Sequence, residues 1–272
     1  MKKFLLSFAF AASLLANSAF AQFSDRSSQQ NAAASFVPSD LRDMILDPEF
    51  HAGWMIGAYG GIDYNMHYGG FSTTEGSIIC CVANDGKGIG AAIGLKAFIP
   101  LSDALMISPR IVYEGRNGTF TANPETYPIL GQNNTVENLI LTKQFKATMS
   151  TIGADLFLTW NLTETGLYLA GGPSIASIIS QRFVQTESIS SPSGVKYLNN
   201  NTPDQEVLNS DLNITKSLQV LAKIGAGYRI SLSSQFTLNP EVMYGIPLTK
   251  LSKTYGWTAS ALQGTLGILY TL

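Results

Sequence analysis

Residues 218–230 read Leu-Gln-Val-Leu-Ala-Lys-Ile-Gly-Ala-Gly-Tyr-Arg-Ile. Leu218, Val220, Ala222, Ile224, Ala226, Tyr228 and Ile230 fall on one parity, against Gln219, Lys223, Gly225, Gly227 and Arg229 on the other. Side chains of an extended chain alternate between two faces, so this is a strand with one wholly apolar face and one small or charged face. A short link, Ser231 to Ser234, leads into a second strand of the same kind. There Phe236, Leu238, Pro240, Val242, Tyr244 and Ile246 oppose Thr237, Asn239, Glu241 and Gly245. Together the two runs read as a tight antiparallel hairpin.

Six further runs repeat the pattern. In the first, Trp54, Ile56, Ala58, Gly60, Ile62, Tyr64, Met66 and Tyr68 share a face, with Asp63, Asn65 and His67 opposite. The second puts Ile89, Ala91, Ile93, Leu95, Ala97 and Ile99 outward against Gly90, Ala92, Gly94 and Lys96. The third puts Leu105, Ile107, Pro109, Ile111 and Tyr113 opposite Ser108, Arg110, Glu114 and Arg116. The fourth puts Ile152, Ala154, Leu156, Leu158 and Trp160 opposite Thr151, Gly153, Asp155 and Thr159. The run from Leu167 to Ile179 alternates least, and its Ser174 points to the interior face. The last begins near Thr258 and reaches the C-terminus.

The connections sort by length. Three are short, at 100–104, 161–165 and 231–234; four, roughly 69–87, 117–147, 180–216 and 248–257, are mostly long and rich in Asn, Ser, Thr, Gly and Pro. Short turns at one end and long loops at the other distinguish a membrane-spanning barrel from a soluble lipocalin-type barrel. Ile93 to Tyr113 also aligns without gaps on Ile224 to Tyr244, with Leu101/Leu232, Ser102/Ser233 and Pro109/Pro240 in register. This arises from duplication or from convergent hairpin chemistry. The mid-strand prolines are expected to mark bulges, because proline cannot donate to the ladder.

Composition agrees. Only 13% of the 272 residues are charged, about half the usual ~25%, and the mean hydropathy is +0.13. Such a chain is not intrinsically disordered. With 17 Lys and Arg against 19 Asp and Glu there is no basic excess, so nucleic acid is not an expected partner. After the first twenty residues no apolar run approaches the ~20 residues of a membrane helix. Lys2 and Lys3, the apolar stretch Phe4 to Leu15 and Ala19-Phe20-Ala21 before Gln22 form a secretory signal peptide. The expected organisation is therefore a signal peptide over 1–21, a flexible periplasmic segment over 22–50 and a barrel domain over 51–272. Within 22–50 a short helix could start at Ser39 and stop before Pro48.

The final residues, Thr265-Leu266-Gly267-Ile268-Leu269-Tyr270-Thr271-Leu272, carry a further pattern. They resemble the C-terminal signal read by the outer-membrane assembly machinery, with Thr265, Gly267, Tyr270 and Leu272 at its positions; Leu272 stands where the family prefers an aromatic. Residues 51–272 resemble the eight-stranded outer-membrane β-barrel superfamily, in its OmpA-like transmembrane or PorT-like form. The resemblance implies an all-β fold: an eight-stranded antiparallel transmembrane β-barrel, an up-and-down meander behind a short periplasmic tail. It also implies a bacterial outer-membrane location, with outer-membrane lipid and the assembly machinery as partners. No peptidoglycan-binding domain is expected after the last strand.

Pooling the interior faces gives the acids Asp63, Glu114, Asp155 and Glu241 and the bases Lys96, Arg110, Arg116, Lys223 and Arg229. An eight-stranded bore is just wide enough for side chains to fill, and enclosed charges must pair. Arg229 and Glu241, joined by a tight turn, are the expected partners. The alternative is a narrow ion-conducting pore. His51 and His67 are the sole histidines. A lipid-modifying barrel enzyme would need His67 beside a serine and an acid on the membrane-facing surface, but parity places it inside. Two such distant histidines do not make a metal site, because structural zinc takes four clustered ligands, and neither metal nor cofactor is expected. Gly88, Gly90 and Gly94 alternate within a strand with no helix after them, so they line a narrow barrel rather than cradle phosphate. Adjacent Cys80 and Cys81 either form a strained vicinal disulfide that stiffens the first loop or link to a partner. The reading as a whole is a non-enzymatic, monomeric barrel with a structural or adhesive role, meeting an extracellular ligand through its loops.

Overall fold

The computed structural model describes residues 53–75, 78–131, 134–162, 166–211, 217–252 and 256–272, and at 70–84 the backbone alone. The signal peptide, the 22–50 segment with its Ser39 helix, His51 and the Cys80 and Cys81 side chains lie outside these described parts.

Twelve strands form among the described residues: β1 (Met55–Glu75), β2 (Ile78–Pro100), β3 (Leu105–Gly115), β4 (Gly118–Thr121), β5 (Glu125–Leu130), β6 (Val136–Asn161), β7 (Leu167–Ser191), β8 (Asp204–Ser210), β9 (Leu218–Tyr228), β10 (Ile230–Ser231), β11 (Phe236–Pro247) and β12 (Thr258–Thr271). Eight of them close a ring in the order β1-β2-β3-β6-β7-β9-β11-β12, every pair antiparallel. The seam joins first strand to last, from Met55 opposite Thr271 to Tyr68 opposite Thr258. Closure leaves the ring without an edge, as a sheet surrounded by lipid requires. β4 continues the line of β3 and pairs with β2 and β6. β10 continues β9 past Arg229.

Through the middle of the ring the outside faces are apolar; Ile89, for example, is 66% exposed. Inside, two apolar layers flank a polar one. Met55, Phe98, Met106, Phe157, Tyr168, Ala170, Met243 and Leu269 pack toward the short-turn end. Phe120, Ala122, Phe145, Ala147, Met149, Phe183, Leu251, Trp257 and Ala259 pack toward the other end. Gly94 shows what narrowness demands: a Cβ there would lie 2.6 Å from Cζ of Tyr59, so the ring packs on bare backbone.

Two expectations need correction. The mid-strand prolines make no bulge. β2 and β3 pair from Lys96/Arg110 and resume at Ile99/Ile107 in the same register, and Pro109 stays paired with Leu156 on its other side. Around Pro240 the ladder to β9 and β10 likewise lapses without a slip. A missing donor removes rungs on one side; it does not force an extra residue. A true register shift falls instead on β7, where Ser150 faces Ser180 and Thr151 faces Ile178. The extra residue, Ile179, helps explain why the fifth run alternates so poorly.

Second, most of the long connections are not irregular loops. β1 and β2 stay paired as far as Glu75 and Ile78. The stretch 117–147 holds β4, β5 and the first half of β6; 180–216 holds the end of β7 and all of β8. Phe120, Ala122, Phe145, Ala147 and Phe183 of these stretches still face the bore; farther out, on β5, β8 and the ends of β6 and β7, both faces meet water, so the apolar period disappears while the backbone ladder continues. The result is a four-stranded sheet, β5-β6-β7-β8, standing on the wall of the barrel.

Candidate functional site

All nine charged residues placed inward by parity are buried in the bore. They form two clusters. Toward the short-turn end, Glu241 on β11 accepts from both terminal nitrogens of Arg110, the Nη2–Oε2 distance being 3.0 Å. Lys96 Nζ lies 3.5 Å from the same carboxylate, and the Tyr168 hydroxyl donates to it at 2.6 Å. Lys96 also donates to Oδ1 of Asn239 at 2.5 Å. Arg110 and Lys96 are direct cross-strand partners, so the carboxylate is the anion that makes their proximity tolerable.

In the second cluster, Glu114 accepts from Arg116 Nη2 at 2.6 Å, Lys223 Nζ at 2.6 Å and Gln263 Nε2 at 3.0 Å. Lys223 reaches Asp155 as well, at 3.0 Å. This lysine stands on β9 and Glu114 on β3, so the bond spans the bore. Charge-assisted bonds of this kind are about twice as strong as neutral ones.

Arg229 does not pair with Glu241. The register sets Gly227 opposite Glu241, and Arg229 occupies the break between β9 and β10, nearer the turn. Its guanidinium donates to Asn161 Oδ1 and lies 4.9 Å from the Tyr168 ring centroid and 5.4 Å from that of Phe98. Lys96 over Tyr59 at 5.0 Å and Arg110 over Phe157 at 4.4 Å use aromatic faces in the same way. Desolvated cation–π contacts are worth about 2 kcal/mol. They matter here because the buried cations do not each have a carboxylate of their own. Glu241 is the ion-pair partner of both Lys96 and Arg110, Glu114 is that of Arg116 and Lys223, and Arg229 rests on Asn161 and aromatic faces. Both oxygens of Asp63, Oδ1 of Asp155 and Nε and Nη1 of Arg116 have no hydrogen-bond partner among the described residues.

His67 faces the bore, between the carbonyl of Asn117 at 3.0 Å and the indole N–H of Trp257 at 3.1 Å. Neither a serine nor an acid is its partner in these bonds. Among the described residues no three metal-ligating side chains gather. Sequence reasoning put Asn239 on the inward face without giving it a role, and missed Tyr168, Gln263 and Trp257. Tyr168 shares the parity of inward Ser174, so its orientation was readable. Trp257 follows a connection with no period at all.

Outside the bore, the β5-β6-β7-β8 sheet ties Lys143 to Glu125 at 3.1 Å and Glu187 at 3.4 Å. The Tyr127 hydroxyl, assisted by Lys143, holds the Glu125 carboxyl below the usual carboxylate range. Leu130 and Val136, at 71% and 74% exposure, end the β5–β6 hairpin. In the last strand Thr265 and Gly267 face inward while Tyr270 and Leu272 face out.

Comparison with known proteins places this architecture. A family model described as outer membrane protein β-barrel domain matches residues 20–252. No curated protein matches the sequence. Among solved structures, the chain is similar to neisserial surface protein A (NspA), at 11% identity over 81% of this chain and 97% of that one, with a TM-score of 0.35. It is similar to OprG of Pseudomonas aeruginosa at 10% identity over 81% and 96%, TM-score 0.36. It is similar also to the outer membrane protease OmpT of Escherichia coli at 8% identity over 81% and 97%, TM-score 0.34. The chain belongs to the outer membrane protein β-barrel domain family, and its place is the bacterial outer membrane.

Proposed function

We propose that this protein is a non-enzymatic, monomeric barrel whose role is structural or adhesive, exercised through the sheet that rises above the membrane. One observation carries the reading. The bore is packed with bonded charges between two apolar layers, whereas β5–β8 extend a paired, partly apolar surface beyond the lipid. A filled bore transports little, and an exposed apolar patch on a rigid sheet is a usual mark of a recognition surface. Outer-membrane lipid and the assembly machinery are the partners of the barrel wall and of Thr265, Gly267, Tyr270 and Leu272; an extracellular ligand is the partner of the sheet.

The test compares three strains: one lacking the gene, one carrying the full chain, and one in which residues 124–141 are replaced by a short Gly-Ser turn. Adherence of intact cells to protein-coated surfaces should fall in the first and third alike, with the shortened barrel still heat-modifiable on gels. Purified full-length protein in planar bilayers should conduct poorly. Steady large openings would favour a small-solute channel, and lipid deacylation lost in His67→Ala would favour an enzyme.

A further inference from the structure

Leu251 and Trp257, from the stretch between β11 and β12, sit in the outer mouth of the barrel. Leu251 N–H donates to the Trp257 carbonyl at 2.8 Å, and both side chains are buried in the outer apolar layer. The Trp257 indole lies 5.6 Å from the His67 ring, 5.7 Å from Phe120 and 6.2 Å from Phe183. Its N–H donates to Nδ1 of His67 at 3.1 Å, while Nε2 of His67 lies 3.0 Å from the Asn117 carbonyl. An indole nitrogen can only donate and a carbonyl can only accept. Both bonds coexist only when Nδ1 is bare and Nε2 carries the proton, which assigns the neutral Nε2–H tautomer. One edge of the ring packs on bare backbone, since a Cβ on Gly118 would lie 2.5 Å from its Cδ2.

We propose that His67 and Trp257 form an acid-released latch on the outer mouth. A proton taken from solvent onto Nδ1 sets N–H against N–H, breaks the indole bond and leaves an imidazolium beside Arg116. The Trp257 indole then leaves the mouth, exposing the charged middle layer to the outside. The surroundings give the added charge little relief. Arg116 approaches from the end of β3, and its Nη2 holds Glu114. Asp63 lies four residues down β1, on the inward face. Lys223 on β9 is bound to Glu114 and Asp155. Lys143 on β6 is bound to Glu125 and Glu187. The connection, β4, β7 and β12 contribute Leu251, Ser252, Phe120, Phe183, Gln185 and Ala259, all buried and uncharged.

The experiment uses the full chain refolded in detergent with Trp54 and Trp160, the outward-facing tryptophans, changed to Phe, so that Trp257 is the sole reporter. At pH 7.5 its emission should be blue and protected from acrylamide. At pH 4 it should shift red and quench several-fold more strongly, reversing on neutralisation while the far-UV strand signal stays unchanged. His67→Gln accepts and donates without titrating, and should stay blue at both pH values. No acid response in the parent, or the same response in His67→Gln, overturns the latch. Should His67→Gln fail to fold, nitrogen NMR of the parent in a His51→Ala background decides. An Nε2–H ring at pH 7.5 that gains its Nδ1 proton in step with the emission change upholds the proposal. An Nδ1–H or charged ring at pH 7.5, or titration out of step with emission, overturns it.

Discussion

Glu241→Gln removes one negative charge from the most enclosed ion cluster of the bore. The side chains of Glu241 and Lys96 have no exposure and that of Arg110 has 1%, so water cannot replace the lost partner. Breaking a buried pair by deleting one member costs about 3–5 kcal/mol, because the remaining charge stays buried and uncompensated. Here two cations are left, Arg110 and Lys96. The glutamine carbonyl can still accept from Arg110 or Tyr168, and a retained hydrogen bond returns about 1 kcal/mol. The expected net loss is therefore about 3 kcal/mol. Glu125→Gln is the matched control, since its bond to Lys143 lies in the outer sheet with the glutamate 30% exposed; pairs of that kind are worth about 0.2–1 kcal/mol. Reversible urea unfolding in detergent or thin vesicles, followed by tryptophan emission, measures both. A Glu241→Gln loss below about 1 kcal/mol, or no larger than that of Glu125→Gln, would refute the view that this carboxylate neutralises a dry cationic layer.

Asp63→Asn should be neutral or stabilising in the same urea assay, because the Asp63 carboxylate oxygens have no hydrogen-bond partner among the described residues and losing their charge removes a desolvation cost; a loss matching that of Glu241→Gln would contradict this. In a background with Cys80 and Cys81 changed to Ser, single cysteines within 117–147 and 180–216 should react with an impermeant maleimide on intact cells, and cysteines at Ser102 and Ser233 should not. The reverse pattern would invert the topology. Tyr270→Asp with Leu272→Asp should sharply reduce barrel reaching the outer membrane while impairing detergent refolding less. Both side chains face outward at the short-turn end of the last strand, near the membrane interface, where the lipid cost of a charge is modest, about 0–1 kcal/mol, so the main loss should be of the assembly signal. Normal amounts of heat-modifiable double mutant in the membrane would remove that role from the C-terminal strand.

The eight alternating runs were legible because two different surroundings act on them at once. Lipid selects one face and a packed bore the other, and a slip of one residue would exchange the two along a whole strand. Parity alone thus put Asp63, Lys96, Arg110, Glu114, Arg116, Asp155, Lys223, Arg229 and Glu241 inside, where the structure has them. The same logic fails above the membrane. With water on both faces of β5, β8 and the outermost ends of β6 and β7 no period is imposed, yet the backbone still pairs, so stretches read as loops are strand. Partnership inside the bore was equally out of reach. Which charge meets which depends on shear and on distances across the ring: Lys223 finds Glu114 from the far wall, and Glu241 turns to Arg110 and Lys96 rather than to its hairpin neighbour Arg229. Trp257 gave no signal either, because its burial against His67 follows from where an aperiodic connection lands once the barrel has closed. Alternation is a local property of the chain and can be read along it; pairing across a closed ring is a property of the ring, and only closure decides it.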